Sequence, residues 1–131
     1  MSHWKIRNLP AGDYGISGLR RLDCVSQVDG HLDWALVRPP EEGVVWLVCL
    51  HGHGSHGDQL YTRPDVRERW LPRFLARGFG ILTPNLRDNA WMGPAAEEDL
   101  NRQIAAVREA FDVPVFGLVG GSMGGTGVLI Y

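Results

Sequence analysis

At 131 residues, with 44% hydrophobic and 21% charged residues, the chain has the size and composition of one soluble globular domain rather than a disordered segment. A formal charge of −2 and a pI near 6.2 give no electrostatic footprint for nucleic acid or an anionic membrane. No stretch approaches the roughly 18 apolar residues of a membrane span, and the basic N-terminus has no apolar run behind it, so a cytoplasmic location is expected.

Residues 1–21 read as an N-terminal extension and residues 22–131 as one α/β core. Within it, residues 22–28 and 32–37 read as two strands joined around Asp29-Gly30, a hairpin turn signal. Pro39-Pro40-Glu41-Glu42-Gly43 is a polar loop. The run at 44–50 is continuously apolar, as suits a strand buried on both faces of a parallel sheet. Cys49 within it reads as a small buried hydrophobe, and with Cys24 it makes no disulfide framework. Beyond the segment 51–57, Val66, Trp70, Leu71, Phe74 and Leu75 recur at helical spacing and predict one shared face, with Pro72 kinking or dividing the helix and Gly78 ending it. A short strand follows at 79–83.

The spacing next predicts an amphipathic helix over 95–111, with Leu100, Ile104, Val107 and Phe111 on one face. Its first turns carry Glu97, Glu98 and Asp99, which suit the helix dipole. Pro114 then precedes a last strand at 115–119. A hairpin followed by alternating strands and helices predicts a mostly parallel α/β sheet.

Gly120-Gly121-Ser122-Met123-Gly124 fits G-x-S-x-G between that strand and a helical start. An abrupt strand-to-helix turn strains the middle residue and brings the flanking positions together, so Gly120 and Gly124 relieve a collision while Ser122 is left exposed. A helix beginning at Met123 also aims N–H groups at the site. A phosphate-binding turn is the alternative. However, the turn has no lysine for G-x-x-x-x-G-K-[ST], and no register of residues 117–125 supplies G-x-G-x-x-G.

Leu50-His51-Gly52-His53-Gly54 lies at the carboxyl end of the strand at 44–50. In a serine hydrolase a His-Gly turn there supplies a second oxyanion donor from the backbone, leaving the imidazoles of His51 and His53 as structural or pocket-lining groups. A second chemistry is open: His51, His53 and His56 have the spacing H-x-H-x-x-H and offer three metal ligands. That spacing resembles the metallo-β-lactamase-type motif, but Ser55 stands where an aspartate belongs, and no later histidine completes a second ligand set.

The His-Gly turn and the serine turn, in this order and on these strands, resemble the N-terminal part of an α/β-hydrolase, closest to esterases and peptidases related to prolyl oligopeptidase and acetyl xylan esterases. The resemblance covers residues 22 onward. It implies Ser122 as acyl nucleophile, the backbone N–H groups of Met123 and His53 as oxyanion donors, and a small-molecule ester or amide substrate, with no cofactor, metal, nucleic-acid or membrane partner. His51, Gly52, Arg87 and Trp91 are pocket candidates, the last two from the loop after the strand at 79–83. A surface loop with Trp91 pinned into the core is the alternative there.

In the family an acid and then a histidine follow the serine, whereas here only Met-Gly-Gly-Thr-Gly-Val-Leu-Ile-Tyr follows, and His3, His31, His51, His53 and His56 all precede Ser122. A serine without a base is a poor nucleophile. The expectation is therefore a fragment lacking the C-terminal half of the fold, truncated after the nucleophile elbow and with little or no turnover by itself. A small non-catalytic binding or interaction module that retains the elbow is the other reading. In either case the strand at 115–119 is expected to be an exposed apolar edge.

Overall fold

The computed structural model describes residues 4–40, 45–112 and 115–131. Chain order is β1 (Lys5–Asn8), a 3-10 turn (Asp13–Gly15), β2 (Arg20–Val25), β3 (Leu32–Arg38), β4 (Val45–Leu50), α1 (Gln59–Thr62), α2 (Pro64–Ala76), β5 (Gly80–Pro84), α3 (Pro94–Ala110), β6 (Val115–Gly120) and α4 (Met123–Ile130). Val44, Pro114 and the Glu41-Glu42-Gly43 part of the expected loop lie outside the described residues.

The strands form one six-stranded sheet in the order β1-β2-β3-β5-β4-β6. The expected hairpin is present as β2 and β3, paired antiparallel from Arg20↔Val37 to Val25↔Leu32. Gly30 closes its turn at φ 75°, in the left-handed region glycine enters without steric cost. β4 runs parallel to both β5 and β6, so the parallel part is these three strands, while β1, β2 and β3 extend the sheet antiparallel. Residues 5–8, within the expected extension, thus join the sheet as an edge strand.

Period-two alternation divides the core between two faces. Ala35 and Val37 of β3, Trp46, Val48 and Leu50 of β4 and Leu82 of β5 pack with Leu100 and Val107 of α3. Leu36 and Ile81 face the other way, against Leu60 and Tyr61 of α1 and Leu71 of α2. Trp46 is fully buried beside Phe111 and Phe116, and Gly80 is glycine because a Cβ there would lie 2.8 Å from Trp46 Cγ. The second face is less covered: Leu47 and Cys49 of β4, and Gly117 and Val119 opposite them on β6, are only partly buried.

Two expectations for α2 are corrected. Pro72 lies inside an undivided helix, because Pro72 and Glu68 are both exposed and the carbonyl deprived of its partner faces solvent. Trp70 does not share the core face: it is 43% exposed and stacks on Phe74. Gly78 ends the helix as expected, at φ 69°, with the Phe79 N–H donating back to Phe74 O. In α3, Asp99 is 4% exposed and is bonded by Ser26 and Arg87.

Candidate active site

β6 ends at Gly120 and α4 begins at Met123, so the turn between them is two residues long. Ser122 is held at φ 54°, ψ −124°, a conformation that costs a non-glycine residue energy and persists only where the surroundings impose it. What imposes it is close packing of backbone on backbone. A Cβ on Gly120 would overlap the Gly124 carbonyl, and one on Gly124 would overlap the Leu50 carbonyl. Ser122 is exposed, and among the described residues its hydroxyl has no hydrogen-bond partner.

The segment after β4 faces this turn. A Cβ on Gly52 would sit 3.8 Å from both Gly121 O and Ser122 Cβ. The Gly52 N–H is already committed to Gln59 Oε1 at 3.1 Å, and the Gly54 N–H to Asn89 Oδ1 at 2.7 Å. Among the described residues the His53 N–H has no acceptor, and the Met123 N–H, at the first position of α4, has no helical one. Two backbone donors without acceptors among the described residues thus belong to Met123, next to Ser122, and to His53, which lines the same cavity as Ser122.

Among the described residues no histidine hydrogen-bonds the Ser122 hydroxyl. His51 is buried, with Nδ1 2.8 Å from Gly52 O and Nε2 2.8 Å from Asn85 O. His53 lies against Trp91, ring centroids 5.9 Å apart. His56 bonds through Nδ1 to Asp88 at 2.8 Å, and that bond holds the Asp88 carboxyl below its ordinary range. With His51 bonded to Gly52 and Asn85 and His56 to Asp88, the metal-ligand reading of His51, His53 and His56 is corrected: among the described residues no group of three or more such side chains converges.

A cavity of about 500 Å³ opens beside Ser122, floored by the ends of β4 and β6 and walled by Val66, Trp70 and Phe74 of α2, with His51, Gly52 and His53 along its rim. Cys49 also lines it, but burial pushes its thiol up to about 12, so it stays a neutral thiol at physiological pH.

The two loop candidates separate. Trp91 lies against His53 and lines a small second cavity beneath the serine turn, together with Met123 and Gly124. Arg87 does not line the main cavity. Its guanidinium bonds Asp99 at 2.7 Å, Asp29 at 2.7 and 2.8 Å and Ser26 at 2.8 Å, tying the loop to α3 and to the hairpin turn.

Sequence reasoning missed Asn85, Gln59 and Trp70. No local pattern marks Asn85, whose side-chain partners include residues 28 and 52 positions away. Trp70 was visible as an apolar residue, but its spacing could not distinguish a core position from a cavity wall.

A strained serine at the carboxyl end of a parallel strand, beside a second backbone donor on the neighbouring strand's loop, defines the serine-turn class of α/β folds. A family model of the alpha/beta hydrolase fold matches residues 45–131, and the chain belongs to that family. Among solved structures, the PEG-bound complex of a novel cold-adapted esterase from an Arctic intertidal metagenomic library is 18% identical, with a TM-score of 0.53, over 87% of this chain and 55% of that one. The zinc-bound structure of a novel cold-adapted esterase from an Arctic intertidal metagenomic library is 20% identical, with a TM-score of 0.53, over 96% of this chain and 56% of that one. A highly thermostable carboxyl esterase from Bacillus coagulans, in complex with glycerol, is 20% identical, with a TM-score of 0.53, over 83% of this chain and 38% of that one. At these identities the likeness is one of fold, and the chain spans 38% to 56% of the length of these three. No curated protein matches it. Among the described residues no helix is long and apolar enough to cross a membrane.

Proposed function

We propose that the chain carries the nucleophile and oxyanion half of a serine hydrolase acting on carboxylic esters. The observation that carries this reading is Ser122 at φ 54°, ψ −124°, exposed between two glycines that cannot be replaced without collision. Ser122 Oγ attacks the ester carbonyl carbon and passes its proton to a base. The carbonyl oxygen becomes an oxyanion held by the N–H groups of Met123 and His53. The tetrahedral adduct then collapses, expelling the alcohol with that proton, and water releases the acid from Ser122 by the reverse path.

In this reading the base and its orienting acid come from segments outside these 131 residues. Supporting it are the half-length match to the esterase structures, the lone Ser122 hydroxyl, and the face of β4 and β6 that is only partly covered. An esterase is favoured over a peptidase by the fold neighbours, and a cytoplasmic setting by two free cysteines. A second reading, an interaction module without turnover, is favoured by β6, which among the described residues pairs with β4 alone, with Val115 50% exposed.

The test supplies the base from solution. The chain is assayed on p-nitrophenyl acetate with and without imidazole, subtracting the rate of imidazole alone. Little turnover without imidazole, and an increment with it that disappears in Ser122→Ala, is the expected result. An increment unchanged in Ser122→Ala overturns the nucleophile assignment, and no increment at all in a folded chain favours the interaction module.

A further inference from the structure

Asn85 directly follows β5 and is 4% exposed. Nearly all of its hydrogen-bonding capacity is used. Its N–H donates to Trp34 O at 2.9 Å, and its carbonyl oxygen lies 2.8 Å from His51 Nε2. Its side-chain Oδ1 accepts the Gly57 N–H at 3.0 Å, while Nδ2 donates to Asp33 Oδ1 at 2.8 Å and Asp88 Oδ1 at 3.2 Å. The amide has one satisfactory orientation, because Asp33 and Asp88 can only accept and the Gly57 N–H can only donate. The fit is also steric: a Cβ on Gly57 would come within 2.7 Å of Asn85 N.

These bonds grip both ends of the segment 51–57, at the His51 ring and at the Gly57 N–H. Asn89 and Asp88, from the same loop, hold its middle at the Gly54 N–H and the His56 ring. The loop itself is costly to form: Leu86, Arg87, Asp88, Trp91 and Met92 all have positive φ. Asp33 of β3 anchors it twice, through Asn85 Nδ2 and through the Arg87 N–H at 2.7 Å. Between the gripped ends lies His53, whose N–H, like that of His56, has no acceptor among the described residues; of the two, His53 lines the cavity beside Ser122.

We propose that Asn85 is the positioning residue of the oxyanion loop, its side-chain amide fixing residues 51–57 on Asp33 so that the His53 N–H faces the serine turn. The inference rests on the ester-hydrolase reading and goes beyond it by assigning the loop's geometry to one buried side chain. A donor displaced by even about an ångström loses much of its effect on the transition state, while ground-state binding is little changed.

The discriminating variant is Asn85→Asp, which keeps the shape and the acceptor for Gly57 but turns a carboxylate oxygen onto Asp33 and Asp88. In the imidazole-supported assay it is expected to lower kcat by roughly 10-fold or more with KM unchanged. Hydrogen exchange is expected to show faster exchange of the Gly54 and Gly57 amides. Adding Asp33→Asn restores a donor opposite position 85, and the amide oxygen introduced at position 33 can still accept the Arg87 N–H. The double variant is therefore expected to recover both kcat and protection. Wild-type protection in Asn85→Asp, or wild-type kcat despite lost protection, overturns the proposal, as does failure of the double variant to recover either while it melts as the wild type does. Failure of the parent reading looks different, as no Ser122-dependent increment in the wild-type chain.

Discussion

Gly124 lies so close beneath Leu50 that no side chain fits between them: a Cβ on Gly124 would overlap the Leu50 carbonyl and come within 2.8 Å of the His51 carbonyl. The first turn of α4 therefore rests directly on the end of β4. This contact couples the serine turn to the oxyanion loop, because both sides are backbone and neither can yield by a rotamer change. Gly124→Ala is expected to destabilise the chain by about 3 kcal/mol. Gly125→Ala, whose Cβ would meet its nearest neighbour, Gly120 O, at 3.4 Å, is expected to be neutral or to gain up to about 1 kcal/mol from helix propensity. Urea denaturation of the two variants checks the contrast, and equal midpoints would contradict it.

Ser122 is exposed at a cost in backbone strain. At φ 54° and ψ −124°, glycine is comfortable and serine is not. Ser122→Gly is expected to stabilise the chain by about 1 kcal/mol while removing the hydroxyl. Ser122→Ala removes the hydroxyl and keeps the strain, so its melting temperature should stay near that of the wild type. A rise in melting temperature for both variants, or for neither, would contradict the assignment of strain to this residue.

Arg87 is expected to act on stability. Its side chain is 17% exposed and its partner Asp99 5%, so Arg87→Ala leaves a buried carboxylate without its cation. A loss of about 3 kcal/mol in chemical denaturation is expected. Arg87→Lys should recover only part, since a single ammonium cannot reach Asp29, Asp99 and Ser26 together.

Acid should unfold the protein through the same network. The Arg87 guanidinium, and after it the His31 N–H, hold the Asp29 carboxyl well below the usual carboxylate range, and His56 does the same for Asp88. A carboxyl whose pKa is lower in the folded state binds its proton more tightly when unfolded. Its contribution is fully present above the ordinary value of about 4 and is lost as pH falls through the folded value. Melting temperature is expected to be level above about pH 5 and to fall below about pH 4. Asp29→Asn should make the acid decline shallower; an unchanged slope would show that Asp29 has no part in it.

Where the physics is local, the sequence is readable. The apolar run ending at Leu50, the Asp29-Gly30 turn and the period of Leu100, Val107 and Phe111 each place an element close to its observed bounds. The serine turn is readable for the same reason, since its strain and its glycines lie within the five residues 120–124. What stays hidden depends on long-range pairing. Arg87 looks like a pocket residue because its loop borders the site, but it is satisfied by carboxylates 58 and 12 positions away. Asn85 carries no local signature, and its place is visible only once β3 and β5 lie side by side. β1 escapes notice because Lys5–Asn8 is a short, mostly exposed strand with almost no apolar pattern.

Whether Ser122 is the nucleophile is tested most directly by site-resolved covalent labelling. The chain is treated with a fluorophosphonate in the presence of imidazole, digested, and the adduct located by tandem mass spectrometry. The expected result is an imidazole-dependent adduct on Ser122, slowed in Asn85→Asp and absent from Ser122→Ala. An adduct spread over other hydroxyls, or one that forms equally in Ser122→Ala, would contradict the assignment.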